Sequence, residues 1–176
     1  MNYAAIKNND IANGPGIRVS LFVSGCTHHC PGCFNAIAWD FNYGEEFTDK
    51  TIEHILQLMA PDRVQGLTLL GGEPFEPQNQ GELVKLVLKV KEKYPKKNIW
   101  IYTGYLYEDI ILGRVGDPVV AKELVSCADV IVDGRFVREK KNLSLRFRGS
   151  ENQRLIDAQQ SLQLGEVVFW RDPQKK

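Results

Sequence analysis

Apolar residues recur along this chain with two periods, and the two alternate. In Arg18-Val19-Ser20-Leu21-Phe22-Val23-Ser24 every second position is apolar around a central aromatic, which predicts a strand. Over 48–59, Ile52, Ile55, Leu56 and Met59 fall at helical spacing behind an N-cap at Thr48 or Asp49. Gly66-Leu67-Thr68-Leu69-Leu70 predicts a short second strand that stops at Gly71-Gly72. Over 80–94, Leu83, Val84, Leu86, Val87 and Val90 form one apolar stripe, and Pro95 ends that helix. Asn98-Ile99-Trp100-Ile101-Tyr102 is a third strand, 119–126 a helix and Val130-Ile131-Val132 a fourth strand. Beyond Arg138 the pattern is less regular, with short strands predicted near 153–157 and 167–170 and a frayed polar end over 172–176.

Strands alternating with helices imply parallel βα units, which gather ligands at the carboxyl ends of their strands. Every unusual residue group of this chain follows a predicted strand. A cysteine loop follows the first, Gly71-Gly72-Glu73-Pro74 the second, Thr103-Gly104 the third and Asp133-Gly134 the fourth. At 176 residues the chain suits a single domain over 1–176, with a core of about 15–157. Lysines plus arginines and aspartates plus glutamates number 22 each. No net field argues for a nucleic-acid or membrane partner, no apolar run is long enough to span a bilayer, and the first residues lack a signal-peptide pattern. The chain reads as cytoplasmic, where clustered cysteines mean metal or redox chemistry rather than disulfides.

The loop is Cys26-Thr27-His28-His29-Cys30-Pro31-Gly32-Cys33. Thiolate is the soft ligand of zinc and of iron–sulfur clusters, and two metal readings follow. Structural zinc needs a fourth ligand, for which His28 or His29 is at hand. A [4Fe–4S] cluster on Cys26, Cys30 and Cys33 leaves one iron open to bind a small molecule, and on that reading His28 and His29 are solvated loop residues. An electron-transfer cluster protein wants a fourth cysteine, but Cys127 lies far along the chain in a helical pattern and reads as a buried, inert thiol. Gly71-Gly72-Glu73-Pro74 offers close backbone carbonyls and a carboxylate, the acceptors an ammonium group needs. Thr103 and Asp133 stand open between plain strand-ending turns and contacts to a bound ligand. Residues 146–154 are a surface loop or, more sharply, a docking or ligand-contacting segment. Asn13-Gly14-Pro15-Gly16 is a tight turn that aims the first strand.

The C-x3-C-x2-C spacing at the end of a first strand resembles the radical S-adenosylmethionine (SAM) superfamily. The resemblance narrows through Asn13-Gly14-Pro15-Gly16, Leu21-Phe22-Val23-Ser24-Gly25-Cys26, Cys30-Pro31-Gly32-Cys33-Phe34-Asn35, Gly71-Gly72-Glu73-Pro74, Trp100-Ile101-Tyr102-Thr103-Gly104-Tyr105 and Arg148-Gly149-Ser150-Glu151-Asn152-Gln153. In that order they look like the activating proteins of anaerobic (class III) ribonucleotide reductases. Phe34 stands where tyrosine is frequent, Glu73-Pro74-Phe75 where Asp-Pro-Leu is, and Phe147 where tryptophan is.

The resemblance implies a partial, open (β/α) barrel of the radical SAM type. It implies one [4Fe–4S] cluster on Cys26, Cys30 and Cys33, and SAM held by Gly32, Cys33, Phe34, Gly71, Gly72, Glu73, Thr103 and Asp133. The implied partners are the large catalytic subunit of the reductase and a one-electron donor such as flavodoxin. The implied reaction is reductive cleavage of SAM, whose 5′-deoxyadenosyl radical takes hydrogen from a glycine of that subunit. The competing readings are activation of another glycyl radical enzyme, of formate-lyase type, and a non-catalytic zinc-binding module.

Overall fold

A computed structural model describes residues 1–172. Seven strands, β1 (Asn2–Asp10), β2 (Ile17–Val23), β3 (Glu45–Glu46), β4 (Val64–Gly71), β5 (Asn98–Tyr102), β6 (Val130–Asp133) and β7 (Arg154–Asp157), form one sheet in the order β3-β1-β2-β4-β5-β6-β7. The four central strands β2, β4, β5 and β6 run parallel. Antiparallel pairs of β1 with β2 and β3, and of β6 with β7, form the margins. Five helices join them: α1 (Asp49–Met59), α2 (Pro77–Lys93), α3 (Tyr107–Ile111), α4 (Pro118–Cys127) and α5 (Ala158–Leu164).

Strand alternation divides the sheet into two unlike faces. Val19, Leu21 and Val23 of β2, Leu67 and Leu69 of β4, and Ile99 and Ile101 of β5 belong to the main core. They pack with Ile52, Ile55 and Met59 of α1, Leu83, Leu86 and Val90 of α2, and Leu124 and Val125 of α4, all buried. The intervening residues turn the other way. There Trp100, Val130 and Val132 form a second small cluster, closed by Phe147, Leu155 and Trp170. The same face carries buried polar residues, Arg18, Ser20 and Thr68, with the apolar Phe22 and Leu70 nearer the cavity.

Arg18 organises the amino-terminal end of this polar face. Its guanidinium donates to Thr68 Oγ1 at 2.6 Å, Asn98 Oδ1 at 2.7 Å, the Leu67 carbonyl at 2.8 Å and the Pro15 carbonyl at 3.3 Å. The Gly14-Pro15-Gly16 turn wraps this side chain so tightly that a Cβ on Gly14 would lie 2.8 Å from Arg18 Nε. The turn therefore aims β2 by folding around a buried cation.

The elements predicted from periodicity are present, and α2 begins earlier than its apolar stripe because Pro77 fits the first helical turn. The expected strand at 167–170 is a single bridge, Ile156 to Phe169. Before it runs α5, capped by Asp157, whose Oδ1 accepts from Gln160 N at 2.9 Å, and closed by Gly165 at φ 73. The frayed end expected over 172–176 lies, beyond Asp172, outside the described residues. Among the described residues no helix is long and apolar enough to cross a membrane.

Candidate functional site

The chain leaves β2 through Gly25, at φ 92, where a Cβ would collide with the Phe41 ring. Backbone bonds then pin the loop from two sides. Gly25 N donates to the Ala38 carbonyl at 2.8 Å, and Glu73 N donates to the Gly25 carbonyl at 2.8 Å. A tight turn brings Cys33 N to the Cys30 carbonyl at 3.1 Å, with Gly32 at φ 75. Cys26, Cys30 and Cys33 are free thiols and line one cavity of about 560 Å³ beyond the carboxyl ends of the parallel strands. Burial pushes the Cys26 thiol up to about 11, with the His28 and His29 N–H groups partly offsetting it, and it also raises Cys30. Asn35 N donates to Cys33 Sγ at 3.4 Å. Cys127 is buried at the end of α4 in the helix-side core, away from this cavity.

The opposite wall is built around Glu73, which is 1 % exposed. Its Oε1 accepts from Thr103 Oγ1 at 2.8 Å and Phe75 N at 2.9 Å. Its Oε2 accepts from Gly104 N at 2.7 Å and faces His28 Nε2 at 3.0 Å. The hydroxyl of Thr103 is thus directed at Glu73. Glycines are required here by close backbone approach: a Cβ on Gly72 would stand 2.5 Å from the Gly25 carbonyl oxygen.

Cys26, Cys30, Cys33, Phe34, Gly71, Gly72, Glu73 and Thr103 all line the cavity. Gly32 and Asp133 do not. Gly32 turns its α-carbon toward the stem of Arg138. Asp133 is fully buried and holds Arg154, whose Nε donates to Oδ1 at 2.9 Å, while its Oδ2 accepts from Tyr107 N at 2.8 Å. Its carboxylate anchors β7 and α3. His28 corrects the expectation of solvated loop histidines: it is buried because Glu73 accepts its ring N–H and Tyr105 packs against it with ring centroids 4.4 Å apart. His29 is exposed and stacks on Trp39 at 4.7 Å. Residues 146–154 fold across the mouth. Gln153 Oε1 accepts from Gly149 N at 2.8 Å and Ser150 N at 3.1 Å, its Nε2 donates to the Gly134 carbonyl at 3.0 Å, and Arg148, Gly149 and Gln153 line the cavity.

Two wall residues escaped the sequence reading. Tyr102 OH and Trp39 Nε1 are buried polar atoms without a hydrogen-bond partner among the described residues, and both residues line the cavity. Buried polar groups are nearly always paired, so these donors fit a polar ligand. Tyr102 closes β5 on the polar face, a placement that strand alternation implies; Trp39 ends a short 3₁₀ helix, Ala36–Trp39, too brief to leave a periodic signal.

Among the described residues no three His, Cys, Asp or Glu side chains converge closely enough to hold a single metal ion. Instead, three soft thiols stand around a space with unpaired donors in its wall. That donor set suits a multi-iron cluster held by thiolates, beside a polar ligand on its open side. Sheet, loop and cavity thus define a cluster-binding α/β domain, and residues 12–156 match the family described as 4Fe-4S single cluster domain. The anaerobic ribonucleoside-triphosphate reductase-activating protein of Enterobacteria phage T4 is 43 % identical over 157 residues, covering 88 % of this chain and 93 % of the relative. That of Escherichia coli (strain K12) is 41 % identical over 155 residues, covering 87 % of this chain and 96 % of its own length. The Pasteurella multocida protein of the same name is also 41 % identical over 155 residues, 87 % of this chain and 95 % of its own. The chain belongs to the family of anaerobic ribonucleoside-triphosphate reductase-activating proteins.

Proposed function

We propose that this chain activates an anaerobic ribonucleoside-triphosphate reductase, with a [4Fe–4S] cluster on Cys26, Cys30 and Cys33 and SAM on the open iron. The observation that carries the reading is the placement of those three thiols on one cavity, while the sequence's remaining cysteine, Cys127, lies in the opposite core. When bound, the cluster and SAM supply one-electron cleavage of the sulfonium and removal of a hydrogen atom from a glycine of the reductase's large catalytic subunit. The protein supplies ligation, alignment and exclusion. Gly71 and Gly72 line the cavity, and their backbone would offer the acceptors that the ammonium group of SAM needs. Phe34 and Phe136 give apolar surface for the adenine, and Tyr102 and Trp39 offer it unpaired donors. Glu73 and Thr103 hold that wall by bonding to each other.

With its helices over one face and its cavity on the other, the domain works as a partial, open (β/α) barrel whose free side admits a loop of the reductase. A one-electron donor such as flavodoxin would be the source of the electron that a bound cluster needs. The test is to mix the reconstituted protein, reductant, SAM and reductase without oxygen and record an electron paramagnetic resonance spectrum. A doublet that collapses when the glycine carries deuterium at its α-carbon is expected. SAM cleavage without a radical on the reductase overturns the assignment.

A further inference from the structure

The segment between β6 and β7 concentrates positive charge beside the cavity. Over 135–148 it holds Arg135, Arg138, Lys140, Lys141, Arg146 and Arg148 against the single carboxylate of Glu139, in a chain whose lysines plus arginines equal its aspartates plus glutamates overall. Arg146 pairs with Asp172, and Arg148 Nη1 donates to the Gln153 carbonyl at 2.7 Å. Arg135, Arg138, Lys140 and Lys141 are exposed and have no carboxylate partner among the described residues. Such a run is an electrostatic feature that the fold does not use internally.

Its placement ties it to the cavity mouth. The stem of Arg138 lies against Gly32 of the cysteine loop, and Lys141 Nζ sits 5.2 Å from the centre of the Phe34 ring. Phe34 in turn meets Phe136 at 5.3 Å. At the tip of the segment Leu143 is 85 % exposed and borders the cavity; Phe34, beside Phe136 and Lys141, is 69 % exposed. An apolar centre inside a polar, charged rim is the anatomy of a protein interface.

We propose that residues 135–148, together with Phe34, form the docking surface for an acidic polypeptide segment of the reductase, adjoining the stretch that carries its glycine into the cavity. The proposal rests on the function proposed above and adds the chemistry of the partner surface. A protein segment fits better than a nucleic acid because the cations surround exposed apolar side chains, and because the chain as a whole carries no net positive charge to track a phosphate backbone. Rim charges of this kind steer encounter and reject partners of like sign more than they add contact energy.

The experiment compares the reconstituted holoprotein with the double variant Lys140→Glu/Lys141→Glu and with a control of equal charge change on exposed lysines elsewhere, Lys50→Glu/Lys96→Glu. Three quantities are read: SAM cleavage without reductase, Kd for the reductase across a salt series, and radical yield. Cleavage should be unchanged in all three proteins. Kd at low salt should rise by about tenfold or more in the Lys140/Lys141 variant only, with a flatter salt dependence than wild type. Equal Kd and equal salt slope in all three proteins, with a radical still formed, would overturn the docking surface and leave the proposed function standing. Competitive displacement of the reductase by single-stranded DNA at that salt would also overturn it, in favour of a nucleic-acid surface. Failure of wild type both to bind the reductase and to form a radical would overturn both readings.

Discussion

His28 Nε2 lies 3.0 Å from Glu73 Oε2, and both side chains are almost wholly buried. The contact ties the loop between Cys26 and Cys30 to the segment after β4. Thr103 and Gly104, on the same carboxylate, add the loop after β5. A carboxylate has about four lone-pair sites, and four donors of this chain fill them. Glu73 therefore acts as a node that sets three cavity-lining loops against one another. The ring of His28 even fills the space where a Cβ on Gly104 would sit, 2.4 Å away.

A node of this kind can be told apart from a residue that only touches a ligand. Glu73→Ala leaves several buried donors unpaired, at about 1–3 kcal/mol each. The apo-protein should lose about 3 kcal/mol or more, lowering Tm by about 6–12 °C for a chain of this size. Differential scanning calorimetry without cluster or SAM measures this. An unchanged Tm would show that the carboxylate is not holding the loops.

The cysteines separate by place. Alanine at Cys26, Cys30 or Cys33 should abolish retention of iron and sulfide after anaerobic reconstitution. Cys127→Ala should retain both, because it only opens a small space beside Leu124 and Val125 in the helix-side core. Iron and acid-labile sulfide analysis decides it. Full cluster content in Cys30→Ala would sink the ligand assignment.

The central sheet and the thiol loop were legible because period-two and helical stripes are strong signals in the parallel units. Strand β1 was not read, since Lys7, Asn8 and Asn9 break its alternation and its ladder with β2 is interrupted by two register shifts. Helix α3 has only five residues, too short for a stripe, whereas α5 was legible in principle from Asp157 and Gly165 at its ends. At the site, residue types pointed to candidate ligands but not to the bonds among them. Glu73, Thr103 and Asp133 all read as acceptors or donors for a ligand. Only the fold shows the first two joined and the third taken by Arg154.

Arg18 gives a stability prediction. It is fully buried with five neutral acceptor atoms on four residues and, among the described residues, no carboxylate partner. Lysine keeps the charge but not the planar fork that reaches Thr68, Asn98 and Leu67 together. Arg18→Lys should cost about 2–3 kcal/mol, read as a lower urea midpoint with unchanged m. A midpoint equal to wild type would mean that the fork is dispensable.

Acid should act through Glu108. Hydrogen bonding from Arg154 holds its carboxyl below the ordinary 4.5. A depressed folded value gives stability that is present above the unfolded pKa and lost as pH falls through the folded one. Glu108 is exposed and Arg154 half-buried, so solvent screens the pair and the effect is small. Glu108→Gln should be slightly less stable than wild type at neutral pH, with the difference vanishing as pH drops below the usual carboxylate range. A difference that persists or grows in acid would contradict the pairing.

Tyr102 offers two measurements with opposite signs. Its hydroxyl is buried without a partner among the described residues, and burial pushes its ionisation well above the usual phenol range. Removing an unpaired buried hydroxyl takes away a desolvation cost, so Tyr102→Phe should leave the apo-protein as stable as wild type or slightly more so. If the hydroxyl serves a ligand in the cavity, the same change removes one hydrogen bond, about 0.5–1.5 kcal/mol, and weakens SAM binding to the reconstituted protein by about 2- to 13-fold. Calorimetry of the apo-protein and equilibrium binding of SAM to the cluster-loaded protein test the two halves. Unchanged SAM affinity would remove Tyr102 from the ligand wall, and a large loss of apo stability would mean that the hydroxyl is already paired within the fold.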